Sequence, residues 1–269
     1  MQGERFDFTI DDLTDPVLDH ASILAIADSS TSEGLAYRYA LRELNPFAVI
    51  ADTEFANSVL YAGHVQGGSL DLFDDATGTG TLTARYLDDR AMFLKEKIAL
   101  NQLDLQASDG NVHYKDVTIG YEILTDAVLT TDRQFIFDSD ESNSVIGDSA
   151  ADELFGGGGH DVLFGQGDAD YLEGDAGNDI LVGGSGDDEL RGGTGFDTYI
   201  YNSGDGTDRI EDAYSQDAII FDQQLLQGGI QQATGAYVSS DGRFTYVQSG
   251  GDLIVNGVLT LNENFQNGQ

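Results

Sequence analysis

Apolar positions along this chain change their period twice. In the first half the spacing is helical. Asp15-Pro16 predicts the start of a helix through Val17–Leu24, with aspartate as N-cap and proline in the first turn. Leu35, Tyr39 and Leu44 fall close to one face of a second helix, which Asn45-Pro46 stops. A third and longer helix is expected from about Leu82 to Leu103, where Leu87, Ala91, Leu94 and Ile98 recur at 3- and 4-residue steps. Alternation through Val112–Ile119 predicts a strand. Near the end of the chain, Phe244–Val247 and Leu253–Val255 flank Ser249-Gly250-Gly251, and Asn256-Gly257 offers a tight turn before Val258–Leu261. These read as hairpins.

Between the two regions the period is nine. Six consecutive units begin at Gly147, Gly156, Gly165, Gly174, Gly183 and Gly192. Each has aspartate at its sixth position (Asp152, Asp161, Asp170, Asp179, Asp188, Asp197) and a bulky apolar residue at its eighth (Leu154, Leu163, Leu172, Leu181, Leu190, Tyr199). A flexible glycine linker would not hold both positions in phase. The first part of each unit predicts a tight turn in which glycine supplies positive φ and leaves carbonyls uncovered. The last three residues predict a short strand with one side chain pointing inward. Two units then make one 18-residue coil. Leu154, Leu172 and Leu190 stack in one interior ladder, and Leu163, Leu181 and Tyr199 in the other.

Turns 18 residues apart become neighbours, which pairs Asp152 with Asp170, Asp161 with Asp179, Asp170 with Asp188, and Asp179 with Asp197. Two carboxylates with turn carbonyls give about the six oxygens that calcium (Ca2+) takes, whereas magnesium wants a smaller octahedron. The turn residues offered for this role are Gly156, Gly157, Gly158, Gly159, Gly165, Gly167, Gly174, Ala176, Gly177, Gly183, Gly184, Ser185, Gly186, Gly192, Gly193, Thr194 and Gly195. One Asp-Gly turn would be only a turn. Six in register point to a cation.

Charge sharpens this reading. The chain carries 12 basic and 48 acidic residues, a net charge of −36, which repels nucleic acid and anionic membrane. Residues 138–222 hold 22 acids and two bases, so without a counterion they should behave as a disordered polyanion. No cysteine is present, which excludes disulfides, thiolate metal sites and thiol nucleophiles. The opening residues lack the basic and apolar stretches of a secretory signal peptide, and no 18-residue apolar run could span a bilayer.

The units resemble the RTX repeats, Gly-Gly-x-Gly-x-Asp-x-apolar-x, of haemolysin-type calcium-binding proteins, most closely over residues 156–200. The resemblance implies a parallel β-roll with calcium between turns, an extracellular location, and type I secretion machinery as a partner. Tyr37–Phe47, Leu70–Gly80 and Tyr86–Ala91 look like the stretch preceding the repeats in very large RTX proteins, some with lipase-like domains. That implies a C-terminal piece of a larger toxin- or hydrolase-like protein. Two units depart from the pattern, with Asp148 and Ala150, and with Gln166 and Asp168, in place of glycine. Ser203–Ile210 almost matches after a two-residue insertion, and Asp217 with Ile219 continues the spacing.

The fold expected is therefore mainly β. A small mixed α/β region (1–135) precedes a parallel β-roll of nonapeptide repeats (136–222) and a β-rich C-terminal cap (223–269), in a monomeric chain. No His-Glu-x-x-His, Gly-x-Ser-x-Gly or phosphate-binding loop is present, and Gly63–Gly67 has glutamine where a nucleophile is needed. His20, His64, His113 and His160 are scattered, and a structural or surface role is expected of them. Calcium-dependent folding for secretion is the favoured role. A fragment of a lipase-like enzyme or of a calcium-dependent surface adhesin are the alternatives.

Overall fold

The computed structural model describes residues 8–15, 17–51, 70–74, 77, 79–101, 112–124, 132–211, 217–226, 229–249 and 252–261. Pro16, the Gly63–Gly67 loop with His64, the predicted helix end at Leu103 and the 212–216 turn lie outside them. The chain divides into two compact units, residues 1–109 and 110–269.

Among its described residues the first unit packs three helices with a two-stranded antiparallel sheet, Phe8–Asp12 against Phe47–Ala51. Its first helix is His20–Ala27, capped by Asp19, whose side chain accepts from the Ser22 amide. The expected cap, Asp15, instead accepts from the Val17 amide in a preceding turn. The second helix, Ser32–Arg42, buries Ala36, Tyr37, Ala40 and Leu41. Leu35 and Tyr39 are only half-buried, because the stripe built on the two small alanines is the one that packs inward. The third, Ala84–Asn101, buries Leu87, Ala91, Leu94 and Ile98 as the spacing predicts. Several basic side chains serve backbone carbonyls at helix ends. Arg38 donates to Ala27, Ser29 and Leu70 oxygens, and Arg90 Nε to Leu41.

In the second unit the coils stack as parallel strands in two sheets. One runs from strand Arg133–Phe137 through Glu153–Phe155, Tyr171–Glu173, Glu189–Arg191 and Asp208–Ile210. The other runs from Ser144–Ile146 through Val162–Gly167, Ile180–Ser185, Thr198–Tyr201 and Ala218–Phe221. Register aligns every eighth position. Leu154, Leu172 and Leu190 face one another in sequence, as do Leu163, Leu181 and Tyr199. The ladders extend further than the repeats: Ile136 and Val145 precede them, and Ile210 and Ile219 follow. Each fully buried leucine contributes about 2 kcal/mol.

Strand Val112–Asp116 pairs in parallel with Arg133–Phe137 and antiparallel with Tyr121–Leu124, so these strands belong to the roll's sheet. At the other end, Leu259–Leu261 pairs with Asp208–Ile210, and the antiparallel strands Thr245–Ser249 and Asp252–Val255 continue that sheet. Asn256 (φ 50) and Gly257 (φ 78) make the expected tight turn.

Candidate metal centre

Each coil hangs its sixth-position aspartate on the next. The amides of Asp152, Asp161, Asp170 and Asp179 donate to Oδ1 of the aspartate 18 residues on, at 2.7, 2.8, 2.9 and 2.9 Å. All four expected pairs are thus neighbours. The ladders begin on amide residues, with Gln134 donating to Asp152 and Asn143 to Asp161. They end 20 residues further on, with Asp188 donating to Asp208 at 3.3 Å and Asp197 to Asp217 at 2.9 Å.

The second carboxylate oxygen is chemically informative. Oδ2 of Asp161, Asp170, Asp179 and Asp188 is buried and has no hydrogen-bond partner among the described residues. Each lies beside the first glycine of its own unit, where a Cβ would stand. A Cβ on Gly174 would meet Asp179 Oδ2 at 2.6 Å and the Gly192 carbonyl at 2.7 Å. One on Gly165 would meet Asp170 Oδ2 at 2.2 Å and the Gly183 carbonyl at 2.5 Å, and one on Gly156 would meet Gly174 O at 2.9 Å and Asp161 Oδ2 at 3.1 Å. The first-position glycine therefore leaves open a cradle lined by one turn's carboxylate and the next coil's carbonyl. Buried anionic oxygens without donors are costly, and oxygen donors from two stacked turns suit a hard cation.

Burial dominates the acidity of these groups. Desolvation pushes Asp152, Asp161 and Asp188 up to about 6, Asp179 and Asp208 to about 7, and Asp170 to about 8. Bonds from backbone amides oppose the rise, and neighbouring carboxylates add to it, Asp188 and Asp152 around Asp170 and Asp197 and Asp161 around Asp179. Among the described residues no three histidine, cysteine, aspartate or glutamate side chains gather into a metal-holding group. The donor set is a carboxylate ladder supplemented by main-chain oxygens.

The turns stack more closely than any side chain allows at their fourth position. Gly177 and Gly195 have φ of +151 and +141, and a Cβ on either would lie 1.5 Å from the carbonyl oxygen of the glycine one coil earlier, Gly159 or Gly177. Gly186 repeats this over Asp168 O, at 2.0 Å. Gly157, Gly184 and Gly193 at the second position also have positive φ, and Asp175, Gln166 and Asp168 adopt it without being glycine. Third-position amides of Gly158, Gly167, Ala176 and Thr194 bond to second-position carbonyls of the preceding coil, so Gly157 O is engaged by Ala176 N at 2.9 Å. Ser185 Oγ donates to Gln166 O at 3.4 Å.

The described histidines, His20, His113 and His160, pair with other groups. Exposed His160, at the fifth position, accepts from the Asn178 amide through Nδ1. His20 lies 3.1 Å from Asp88, and His113 lies 2.6 Å from Glu122.

The RTX calcium-binding nonapeptide repeat (4 copies) matches residues 137–172 and 164–199. The solution structure of the AlgE6R3 subunit from the Azotobacter vinelandii mannuronan C5-epimerase is 30% identical, over 46% of this chain and 72% of that one, with a TM-score of 0.22. No curated protein matches the chain.

Proposed function

We propose that this chain, which belongs to the RTX calcium-binding repeat family through residues 137–199, uses calcium binding as its trigger for folding in a larger exported protein. The observation that carries the reading is the set of buried, donor-less Oδ2 atoms on Asp161, Asp170, Asp179 and Asp188. The roll's hydrophobic ladders oppose a segment charge of −20, so a cation that binds only the coiled state shifts the equilibrium decisively. Each site adds about 1.4 kcal/mol at ten times its dissociation constant, and several act together. Submicromolar calcium would leave the segment unfolded and fit for export, and extracellular calcium would fold it. Type I secretion and an extracellular destination follow from the family's habits. The repeats bind and fold; catalysis, if the parent protein has any, belongs elsewhere in it.

Far-UV circular dichroism during a calcium titration of the whole chain tests this. The proposal expects a cooperative gain of β-structure that magnesium does not reproduce. A spectrum equally rich in β-structure in excess chelator would overturn it.

A further inference from the structure

The two sheets of the roll present different outer faces. Eighth-position side chains fill the interior, so the seventh and ninth positions of each unit point outward. On the sheet through Glu153–Phe155 and Tyr171–Glu173 those positions mix charge with aromatic rings and are covered. Glu153, Phe155, Tyr171 and Glu173 are all buried, and the Tyr171 hydroxyl donates to Glu173 Oε2 at 2.7 Å. On the other sheet the same positions are apolar and open. Ile146 is 53% exposed, Phe164 37% and Leu225 54%, while Val182, Ile200 and Ile220 between them are half-buried.

These six residues form one row across the whole sheet. Ile146 stands opposite Phe164, Phe164 opposite Val182, Ile200 opposite Ile220, and Ile220 opposite Leu225 in the antiparallel strand Gln224–Leu225. Val162 and Ile180, also paired, begin a second row beside it. Six strands about 4.8 Å apart make a strip about 24 Å long, and two rows make it about 10 Å wide. Among the described residues, no outward position of these strands carries a charged side chain. The turns that follow the strands are acidic instead, with Asp168 and Asp187 exposed and Asp205 half-buried. Arg191 and Arg209, the two bases of residues 138–222, lie on strands of the opposite sheet.

An apolar strip rimmed by carboxylates selects its occupant by charge. A second copy of this chain would bring its own acidic turns against these, and a strip of roughly 240 Å² is far below the roughly 800 Å² per partner that a stable pair of proteins buries. A helix with one apolar stripe and basic flanks fits both features, because its stripe matches the strip and its cations meet the turns. We propose that this outer face is a docking strip for a cationic amphipathic helix of a partner protein, about 16 residues long at 1.5 Å per residue and lying along the stacking direction of the coils. Its apolar stripe rests on the row from Ile146 to Leu225, and its lysines or arginines lie over the aspartate turns. The strip exists only when the coils are stacked, so the inference rests on the proposed calcium-triggered folding and makes docking calcium-dependent.

Fluorescence anisotropy with the whole chain in millimolar calcium tests the strip, after circular dichroism has shown that the roll is folded. The probe is a labelled peptide of leucine and lysine with leucines on one helical stripe, and the comparison is a scrambled peptide of the same composition. The striped peptide is expected to bind at least about tenfold more tightly than the scrambled one, and the double substitution Phe164→Ser with Ile200→Ser to weaken it about tenfold. Equal binding of the two peptides, or an unchanged affinity in the double variant, overturns the inference. So does a chain that ignores the striped peptide but dimerises in sedimentation, or binds phosphatidylcholine vesicles, through the same two residues. Should the double variant fail to fold, the striped and scrambled peptides against the wild type still decide. A chain that gains no β-structure with calcium would overturn the proposed function, whereas one that folds with calcium and binds both peptides alike overturns only the docking strip.

Discussion

Replacing Asp179 by asparagine separates two opposite effects of one buried carboxylate. Asp179 Oδ1 accepts from the Asp161 amide, and its own amide donates to Asp197, so it belongs to two cages on one edge. Asparagine keeps the shape and the Oδ1 bond but replaces the donor-less Oδ2 with an amide nitrogen, which cannot ligate calcium. Both cages weaken. At ten times the dissociation constant each contributes about 1.4 kcal/mol, so about 3 kcal/mol of calcium-linked stability is lost. In chelator the sign reverses. Desolvation lifts the Asp179 carboxyl from 3.8 to about 7, so keeping it ionised at neutral pH costs on the order of a few kcal/mol, and a neutral side chain removes that cost. Dialysis should therefore show up to two fewer calcium ions, while the metal-free chain shows more β-structure than the wild type. An unchanged stoichiometry, or a metal-free form less folded than the wild type, would refute the reasoning.

Three further outcomes follow from the same geometry. Gly177→Ala places a methyl 1.5 Å from Gly159 O and should abolish calcium-induced folding seen by circular dichroism, whereas Gly120→Ala, with φ +63 and open space around it, should cost only about 1–2 kcal/mol; equal effects would contradict the stacking argument. The raised carboxyls of Asp161, Asp170, Asp179 and Asp188 mean that the folded state holds protons more tightly than the unfolded one. Their contribution to the metal-free roll is thus fully present below about 4 and lost as pH rises through about 6 to 8, and a β-signal in chelator that grows from pH 5 to 8 would refute this. Limited proteolysis in chelator should leave an N-terminal fragment ending close to residue 109, and degradation of residues 1–109 at the same rate as the repeats would show that the first unit also depends on calcium.

The roll was legible because positions six and eight each answer to a strict physical demand, a stack of carboxylates at six and a buried apolar ladder at eight, and Asp152–Asp197 and Leu154–Tyr199 meet them without exception. Its beginning was harder to see. Gln134 and Asn143 take the aspartate position with amides and no glycine marks their turns, although stepping back 18 residues from Leu154 and Leu163 reaches Ile136 and Val145. The cradle over each first glycine depends on a carbonyl one coil away, which a single unit does not contain. In the first unit, Asp15 and Asp19 are equivalent as caps by composition. Only the geometry of the Ser22 amide selects Asp19. Likewise, helix Ser32–Arg42 has two candidate stripes, and the small side chains of Ala36 and Ala40 settled the inward one.

Hydrogen exchange resolved along the chain tests most directly whether the carboxylate ladder can remain coiled without a cation. In excess chelator at neutral pH, amides such as those of Asp161, Asp170, Asp179 and Asp188 should exchange as in an unfolded chain, while helix Ala84–Asn101 stays protected. With millimolar calcium the same aspartate amides should become among the slowest in the molecule. Equal protection of those amides with and without calcium would contradict the account.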